Sequence, residues 1–138
     1  MIGKLNHIAI IVGDLEAAIE RFHQLFGARL LEREFLDESQ TDVAVLDLNG
    51  VHVELLSSPD ETSRVGRILR ERGEGVHHLS FHTDHIEAEL ERLHRKGVRL
   101  LDERPRRGLH GRKIAFLDPT STDGVLIELV QEPESDHQ

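Results

Sequence analysis

The sequence contains no cysteine and no long apolar run, and its acidic residues outnumber its basic ones. Without cysteine the chain forms neither disulfides nor thiolate–metal bonds, so any metal site must use nitrogen and oxygen ligands. No segment approaches the roughly 18 consecutive apolar residues of a membrane helix. With 17 basic against 26 acidic residues and a net charge of −9, the composition disfavours nucleic acid as a partner, because duplex binding relies on clustered cations.

The residues that are present suit one globular domain. The chain has 138 residues, of which 38% are hydrophobic and 31% charged, and ten histidines are many for this length. The chain is long enough to bury a sizeable core. The N-terminus has no charged-then-apolar leader. We therefore expect a single domain, residues 1–138, in the cytoplasm and without a membrane partner.

Apolar periodicity predicts the order β-α-β-β-β in a first module, residues 4–58. A strand over residues 4–12 precedes a helix whose N-cap is Asp14 and which stops at Gly27. Two further strands follow, and the second of them, residues 43–48, leads through an Asn-Gly turn into a strand over residues 51–56. A linker helix is expected within residues 59–74.

The same order restarts in a second module, residues 75–131. It predicts strands at residues 78–83, 98–101, 114–117 and 125–130, with a helix between the first two. Residues 7–22 align without gaps on residues 78–93 with five identities, among them the histidine that opens each stretch. We interpret the chain as a duplicated module followed by a flexible polar tail, residues 132–138.

Each module places a histidine at the start of its first strand and a glutamate inside its last strand. The four residues are His7, Glu54, His78 and Glu128. A lone histidine in a strand is usually a packed residue, and a lone glutamate on a half-exposed strand usually faces water. A carboxylate in an apolar strand is costly unless it is paired or bound to a cation, and here the pattern occurs twice.

If both modules share one sheet, these four side chains can converge. Two imidazoles and two carboxylates suit Co²⁺, Mn²⁺, Ni²⁺, Zn²⁺ or Fe²⁺. Four protein ligands on an octahedral ion leave two positions for a substrate that chelates through two oxygens. The ion would then stabilise negative charge developing on those oxygens.

The sequence resembles the vicinal oxygen chelate (glyoxalase/bleomycin resistance/dioxygenase) superfamily, and within it the methylmalonyl-CoA epimerase family. Three blocks carry the resemblance: Asn-His-Ile-Ala-Ile at 6–10, Arg-Gly-Glu-Gly-Val-His-His-Leu at 72–79, and a C-terminal block made of residues 110–117 and 124–129. It implies an α+β fold in which two βαβββ modules pair into one cupped, mostly antiparallel sheet with the helices outside.

The resemblance also implies an activity. The metal ligands would be His7, Glu54, His78 and Glu128, although glutamine also occurs in this family where Glu54 stands. Glu38, in the loop before the third strand, would move the proton at C2 on one face, and Glu128 or a group beside it would serve the other. The reaction would be epimerisation of methylmalonyl-CoA, or a similar 2-substituted acyl-CoA, through a metal-stabilised enediolate. A homodimer is expected.

A basic segment stands out in this acidic chain. Its charge run is either a solvated loop or a contact for the phosphates of coenzyme A. The resemblance favours the second for the stretch at the loop tip, where the substrate-binding candidates are His110, Gly111, Arg112 and Lys113. The basic residues of the segment are Arg104, Arg106, Arg107, Arg112 and Lys113.

Other functions remain open. The sequence departs from the usual epimerase pattern at residues 39–42 and at 118–120, where Asp-Pro-Thr replaces a common His-Pro-Lys. A glyoxalase I-like lactoylglutathione lyase, or another metalloenzyme of the superfamily, would share the four ligands. An extradiol dioxygenase would use only three. A non-catalytic small-molecule-binding protein of the same fold would need no metal.

Overall fold

The computed structural model describes residues 1–134 as two compact units. The first unit covers residues 7–77, and the second covers residues 1–6 with the chain from His78 onward. Most of the expected tail lies outside the described residues. No helix within residues 1–134 is long and apolar enough to cross a membrane.

The first unit follows the predicted order β-α-β-β-β and ends with the linker helix. The first two residues of strand β1 belong to the second unit, and the rest of β1 and all the other elements belong to the first. Helix α1 begins where Asp14 accepts a hydrogen bond from the Ala17 backbone N–H, and it ends at Gly27, whose φ of 71° is left-handed. The elements are β1 (Leu5–Ile11), α1 (Leu15–Phe26), β2 (Arg29–Leu36), β3 (Thr41–Leu48), β4 (Val51–Ser57) and α2 (Arg64–Arg72).

These four strands are hydrogen-bonded in the order β2-β3-β4-β1. The pairs β2–β3 and β3–β4 are antiparallel, whereas β1 pairs with β4 in parallel. Helix α1 covers one face of the strands. The core on that face includes Ala18, Ala44, Leu46, Val53 and Leu55. Residues at alternate positions therefore point to the opposite face.

The second unit has a similar order with shorter strands. The elements are β5 (Gly75–His82), α3 (Ile86–Arg95), β6 (Arg106–Arg107), β7 (Lys113–Leu117) and β8 (Ile127–Gln131), hydrogen-bonded in the order β5-β8-β7-β6. As in the first unit, the first and last strands pair in parallel. Helix α3 packs on one face of these strands. That core includes Ile86, Leu90, Ala115, Leu117 and Leu129.

The predicted strand over residues 98–101 is wrong. Within this segment only Leu100 forms an isolated bridge, to Leu117, and the strand that pairs with the other edge of β7, away from β8, is the two-residue β6. One cause is visible at Phe116, whose backbone N–H donates to the Asp102 carboxylate at 2.9 Å. That donor is thus taken by a side chain, so a longer ladder cannot use it.

The two units begin their helices differently. Asp14 caps α1 with its own side chain, whereas His85, the N-cap of α3, makes no such hydrogen bond. The Ile86 backbone N–H donates instead to the Gln131 side chain at 2.8 Å. The second unit has therefore replaced a local cap with one from its last strand.

Candidate active site

In the first unit, the imidazole of His7 contacts the carboxylate of Glu54. The distance from His7 Nδ1 to Glu54 Oε2 is 3.1 Å, and the two side chains are 5% and 13% exposed. Strand register explains the meeting, because Glu54 pairs with Ala9 on the neighbouring parallel strand, two residues beyond His7. A strand-opening histidine and a glutamate of the last strand therefore meet in this unit.

Glu54 lies on the face of the strands that α1 leaves uncovered. Its neighbours in the sheet, Val53 and Leu55, pack into the core under α1, so Glu54 points the other way. Across the ladder Glu54 is in register with Val45, which in turn pairs with Glu32 on β2. A nearly buried carboxylate on this face needs a partner, and His7 supplies one.

The second unit repeats this arrangement. His78 Nε2 lies 3.6 Å from Glu128 Oε1, and both side chains are nearly inaccessible to solvent. Both point away from α3, since Leu129, next to Glu128, belongs to the core under that helix. A histidine from the first strand again meets a glutamate from the last.

Ser80 adds a buried hydroxyl beside this second pair. It is in register with Glu128 on the neighbouring strand and lies two residues after His78, so all three share a face. Ser80 is 0% exposed. Its Oγ has no hydrogen-bond partner among residues 1–134. An unsatisfied hydroxyl next to a buried carboxylate is unusual in a pure packing core.

The chemistry of these two pairs suits divalent cations. His7, His78 and Glu128 are buried residues of metal-ligating type, and each offers one nitrogen or oxygen ligand atom. Burying a carboxylate away from water is costly, and a cation compensates that cost. Nitrogen and oxygen ligands of this kind suit zinc, cobalt, nickel, manganese or iron.

The predicted base Glu38, and the histidine next to His78, lie apart from these pairs. Glu38 is exposed in the turn between β2 and β3, where Gln40 donates a side-chain hydrogen bond to the Asp37 carbonyl. His77 is half-buried and, one residue from His78, points to the other face of β5. No contact of the described residues ties Glu38 to either histidine–glutamate pair.

The loop tip forms part of a cleft. His110 has a left-handed backbone, with φ of 50°, and Gly111 follows with φ of 74°. Arg112 contacts Glu132 through Nε at 2.6 and 2.9 Å, and Lys113 contacts Glu87 at 2.9 Å. The hydrogen bond from Lys113 lowers the pKa of Glu87 below its usual value. These two cations are thus already paired within the chain.

Phe116 is a neighbour of the site that the sequence analysis missed. Its ring meets the His78 ring edge-on, with centroids 5.1 Å apart. The guanidinium of Arg106 lies over the same ring, 5.8 Å from its centroid. Phe116 is in register with Glu128 on the neighbouring strand, so both side chains lie on the same face of the sheet. The alternation of residues along β7 could have indicated that Phe116 faces the site.

Comparisons with known proteins show which family this chain resembles. The model of the Glyoxalase/Bleomycin resistance protein/Dioxygenase superfamily matches residues 6–116. The mitochondrial methylmalonyl-CoA epimerase of Homo sapiens is 35% identical over 131 residues, which cover 94% of this chain and 74% of that protein. The ethylmalonyl-CoA/methylmalonyl-CoA epimerase of Cereibacter sphaeroides is also 35% identical, over 95% of this chain and 99% of that protein.

Solved structures show the same likeness. A methylmalonyl-CoA epimerase in complex with methylmalonyl-CoA and NH4+ superposes with a TM-score of 0.90 and 36% identity, covering 96% of each chain. The methylmalonyl-CoA epimerase of Mycobacterium tuberculosis gives a TM-score of 0.89 with 35% identity, covering 94% of this chain and 88% of that one. The expected glyoxalase-like α+β fold is confirmed.

Proposed function

Because the chain belongs to the Glyoxalase/Bleomycin resistance protein/Dioxygenase superfamily, and within it to the methylmalonyl-CoA epimerases, we propose that it is an acyl-CoA epimerase. Its substrate would be methylmalonyl-CoA or a similar 2-substituted acyl-CoA. The observation that carries the proposal is the buried histidine–glutamate pair found in each unit. The names of the similar proteins favour this activity over that of a lactoylglutathione lyase.

We propose that His7, Glu54, His78 and Glu128 are the ligands of one divalent ion. The support is their burial, their pairing within each unit and the chemistry of their ligand atoms. A bound divalent ion would stabilise the negative charge that develops on the substrate oxygens as the C2 proton leaves. Cobalt, manganese, nickel, zinc and iron all suit the donors.

The proton at C2 needs a base that is free to move it. We propose Glu38 for one face of the substrate, because it is an exposed carboxylate in a short turn and is held by no described contact of its own. Glu128, or a group beside it, would return the proton on the other face. Epimerisation requires that the two faces be served from different directions, and these carboxylates lie on different elements.

The test is hydrogen exchange at C2. Cobalt-loaded protein is mixed with each epimer of methylmalonyl-CoA separately in D₂O, and loss of the α-proton is followed by NMR. We expect both epimers to exchange in the native protein. In Glu38→Gln, with cobalt still bound, the epimer whose C2 proton faces Glu38 should not exchange above background. Asp37→Asn removes the neighbouring turn carboxylate and is the control, which should exchange normally.

Two outcomes would count against parts of this proposal. Full exchange of both epimers in Glu38→Gln would refute the assignment of the base while leaving the epimerase intact. Metal content well below one ion per chain, with none taken up on addition, would instead favour a binding protein without catalysis. The cytoplasmic location and the homodimer remain predictions; size-exclusion chromatography with light scattering tests the latter.

A further inference from the structure

We propose that a cleft beside β6 and β7 binds the phosphate groups of the acyl-CoA, with Arg107 and Arg106 as the contacting cations. This inference rests on the proposed function and concerns where the same substrate is held. The cleft has a volume of about 280 Å³, and its wall includes Gly111 of the left-handed turn. Four cations and one carboxylate line it: Arg106, Arg107, Arg112, Lys113 and Glu87.

Three of the four cations are engaged by carboxylates of the same unit, among them Arg106, whose Nε contacts Asp102. Arg112 makes a charge-assisted contact with both carboxylate oxygens of Glu132, and Lys113 pairs with Glu87. Pairing of this kind fixes side chains and offsets their charge. Arg112 and Lys113 therefore shape the walls of the cleft, and the charge available to a ligand comes chiefly from Arg107, with the half-exposed Arg106 beside it.

Arg107 is the cation most available to a ligand. It is exposed and makes no ion pair with any residue in the described part of the chain. In the β6–β7 ladder it stands directly opposite Lys113. Because Glu87 offsets the charge of Lys113, Arg107 is the member of this pair whose charge is uncompensated. A phosphate in the cleft would therefore find its counter-charge on Arg107.

Arg106 links the cleft to the site of chemistry. Its Nε contacts Asp102 at 3.0 Å, while its guanidinium lies over the Phe116 ring, whose edge meets His78. One aromatic ring therefore separates the cleft from a proposed metal ligand. In an acyl-CoA the pantetheine arm separates the phosphates from the thioester. The separation of the anion site from the proposed metal ligands therefore corresponds to the separation of the phosphates from the thioester in an acyl-CoA.

The attraction must be local, because the chain as a whole carries a net charge of −9 and repels polyanions at long range. Of the five cations in this basic segment, Arg104 does not line the cleft, although it is likewise exposed and without an ion pair among residues 1–134. Arg104→Ala therefore changes the net charge as Arg107→Ala does but spares the cleft.

The kinetic test compares two substrates, methylmalonyl-CoA and methylmalonyl-pantetheine, which lacks the phosphates. We expect Arg107→Ala to raise KM for methylmalonyl-CoA about tenfold with kcat unchanged, since one charge-assisted contact is lost. KM for the pantetheine substrate should not change, and Arg104→Ala should stay within about twofold of the native protein. Equal effects of the two variants, or an equal effect of Arg107→Ala on both substrates, would overturn the proposal.

A binding test separates the cleft from the reaction. Adenosine 3′,5′-bisphosphate is titrated into the native protein and the same two variants by calorimetry. Binding that Arg107→Ala weakens and Arg104→Ala does not supports the cleft even where no epimerase activity is found. If both substrates are turned over but the bisphosphate does not bind, the cleft is not a phosphate site. The proposed epimerase function would then still hold.

Discussion

Ser80 and Glu128 are register partners on the neighbouring parallel strands β5 and β8, and both side chains are buried. The Ser80 hydroxyl is 0% exposed and has no hydrogen-bond partner within residues 1–134. It therefore contributes a desolvation cost with no compensating bond in the metal-free protein.

Replacing Ser80 with alanine should consequently leave the unfolding free energy of the metal-free protein unchanged or raise it by up to about 1 kcal/mol. Thr83→Val is the control, because the Thr83 hydroxyl accepts from the His85 backbone N–H at 3.3 Å beside the start of α3. That variant should lose about 1 kcal/mol. Urea unfolding measures both, and a clear loss of stability in Ser80→Ala would contradict the expectation.

Phe116 holds the His78 ring by an edge contact, so Phe116→Leu should weaken metal binding severalfold. The change also removes ring atoms from the core and should cost about 1 kcal/mol of stability. Calorimetric titration with Co²⁺ measures the first effect, and urea unfolding the second.

Phe22→Leu makes the same substitution in α1, where Phe22 meets Phe26 edge-on. This control should lose stability but keep its cobalt affinity; the prediction fails when both variants bind cobalt alike.

Glu89 gives the protein a dependence of stability on pH. Its pKa is lowered from the usual value of 4.5, chiefly by the hydrogen bond from Arg92 at 2.9 Å. A carboxylate whose folded pKa is depressed stabilises the fold above its unfolded pKa, and this contribution is lost as pH falls through the folded pKa. Glu89→Gln should therefore lose about 1 kcal/mol near pH 7 and progressively less as the pH falls below about 4.

The control for Glu89 is Glu91→Gln on the same helix. Glu91 is exposed, and its contact with Arg95 is long, at 3.7 Å. Exposed pairs of this kind contribute little. Urea unfolding from pH 3 to pH 7 should show a pH-dependent difference between native protein and Glu89→Gln only. A constant difference across that range would show that the loss has another origin.

Gly66 lies inside α2, where alanine is normally preferred by about 1 kcal/mol. Here a Cβ would stand 2.2 Å from the Asp60 carbonyl oxygen, a backbone atom that cannot easily move. Gly66→Ala should therefore destabilise the protein by about 1–3 kcal/mol despite its helix propensity. Arg70→Ala, at an exposed position of the same helix, should stay within about 0.5 kcal/mol. Thermal unfolding decides the sign, and a stabilised Gly66→Ala would refute the steric argument.

The order of elements was predictable because apolar periodicity reports directly on which face is buried. Helix α1 lies where Asp14 and Gly27 predicted its ends, and the Asn-Gly turn at 49–50 joins β3 to β4. The strand predicted at 98–101 is absent from the structure. A short apolar run does not indicate which groups its neighbouring strand will hydrogen-bond with. Composition does not predict whether the Phe116 N–H donates to a strand carbonyl or to the Asp102 carboxylate.

Residue types that can bind a metal were evident in the sequence itself. A histidine and a strand glutamate are repeated, and without cysteine any ligands must be nitrogen and oxygen atoms. Tertiary structure alone decided which side chains meet within each unit. Register brought His7 to Glu54 and His78 to Glu128, placed Phe116 against His78, and paired Arg112 with Glu132. The physical reason is that periodicity is local along the chain, whereas a contact between strands depends on hydrogen-bond register between distant segments.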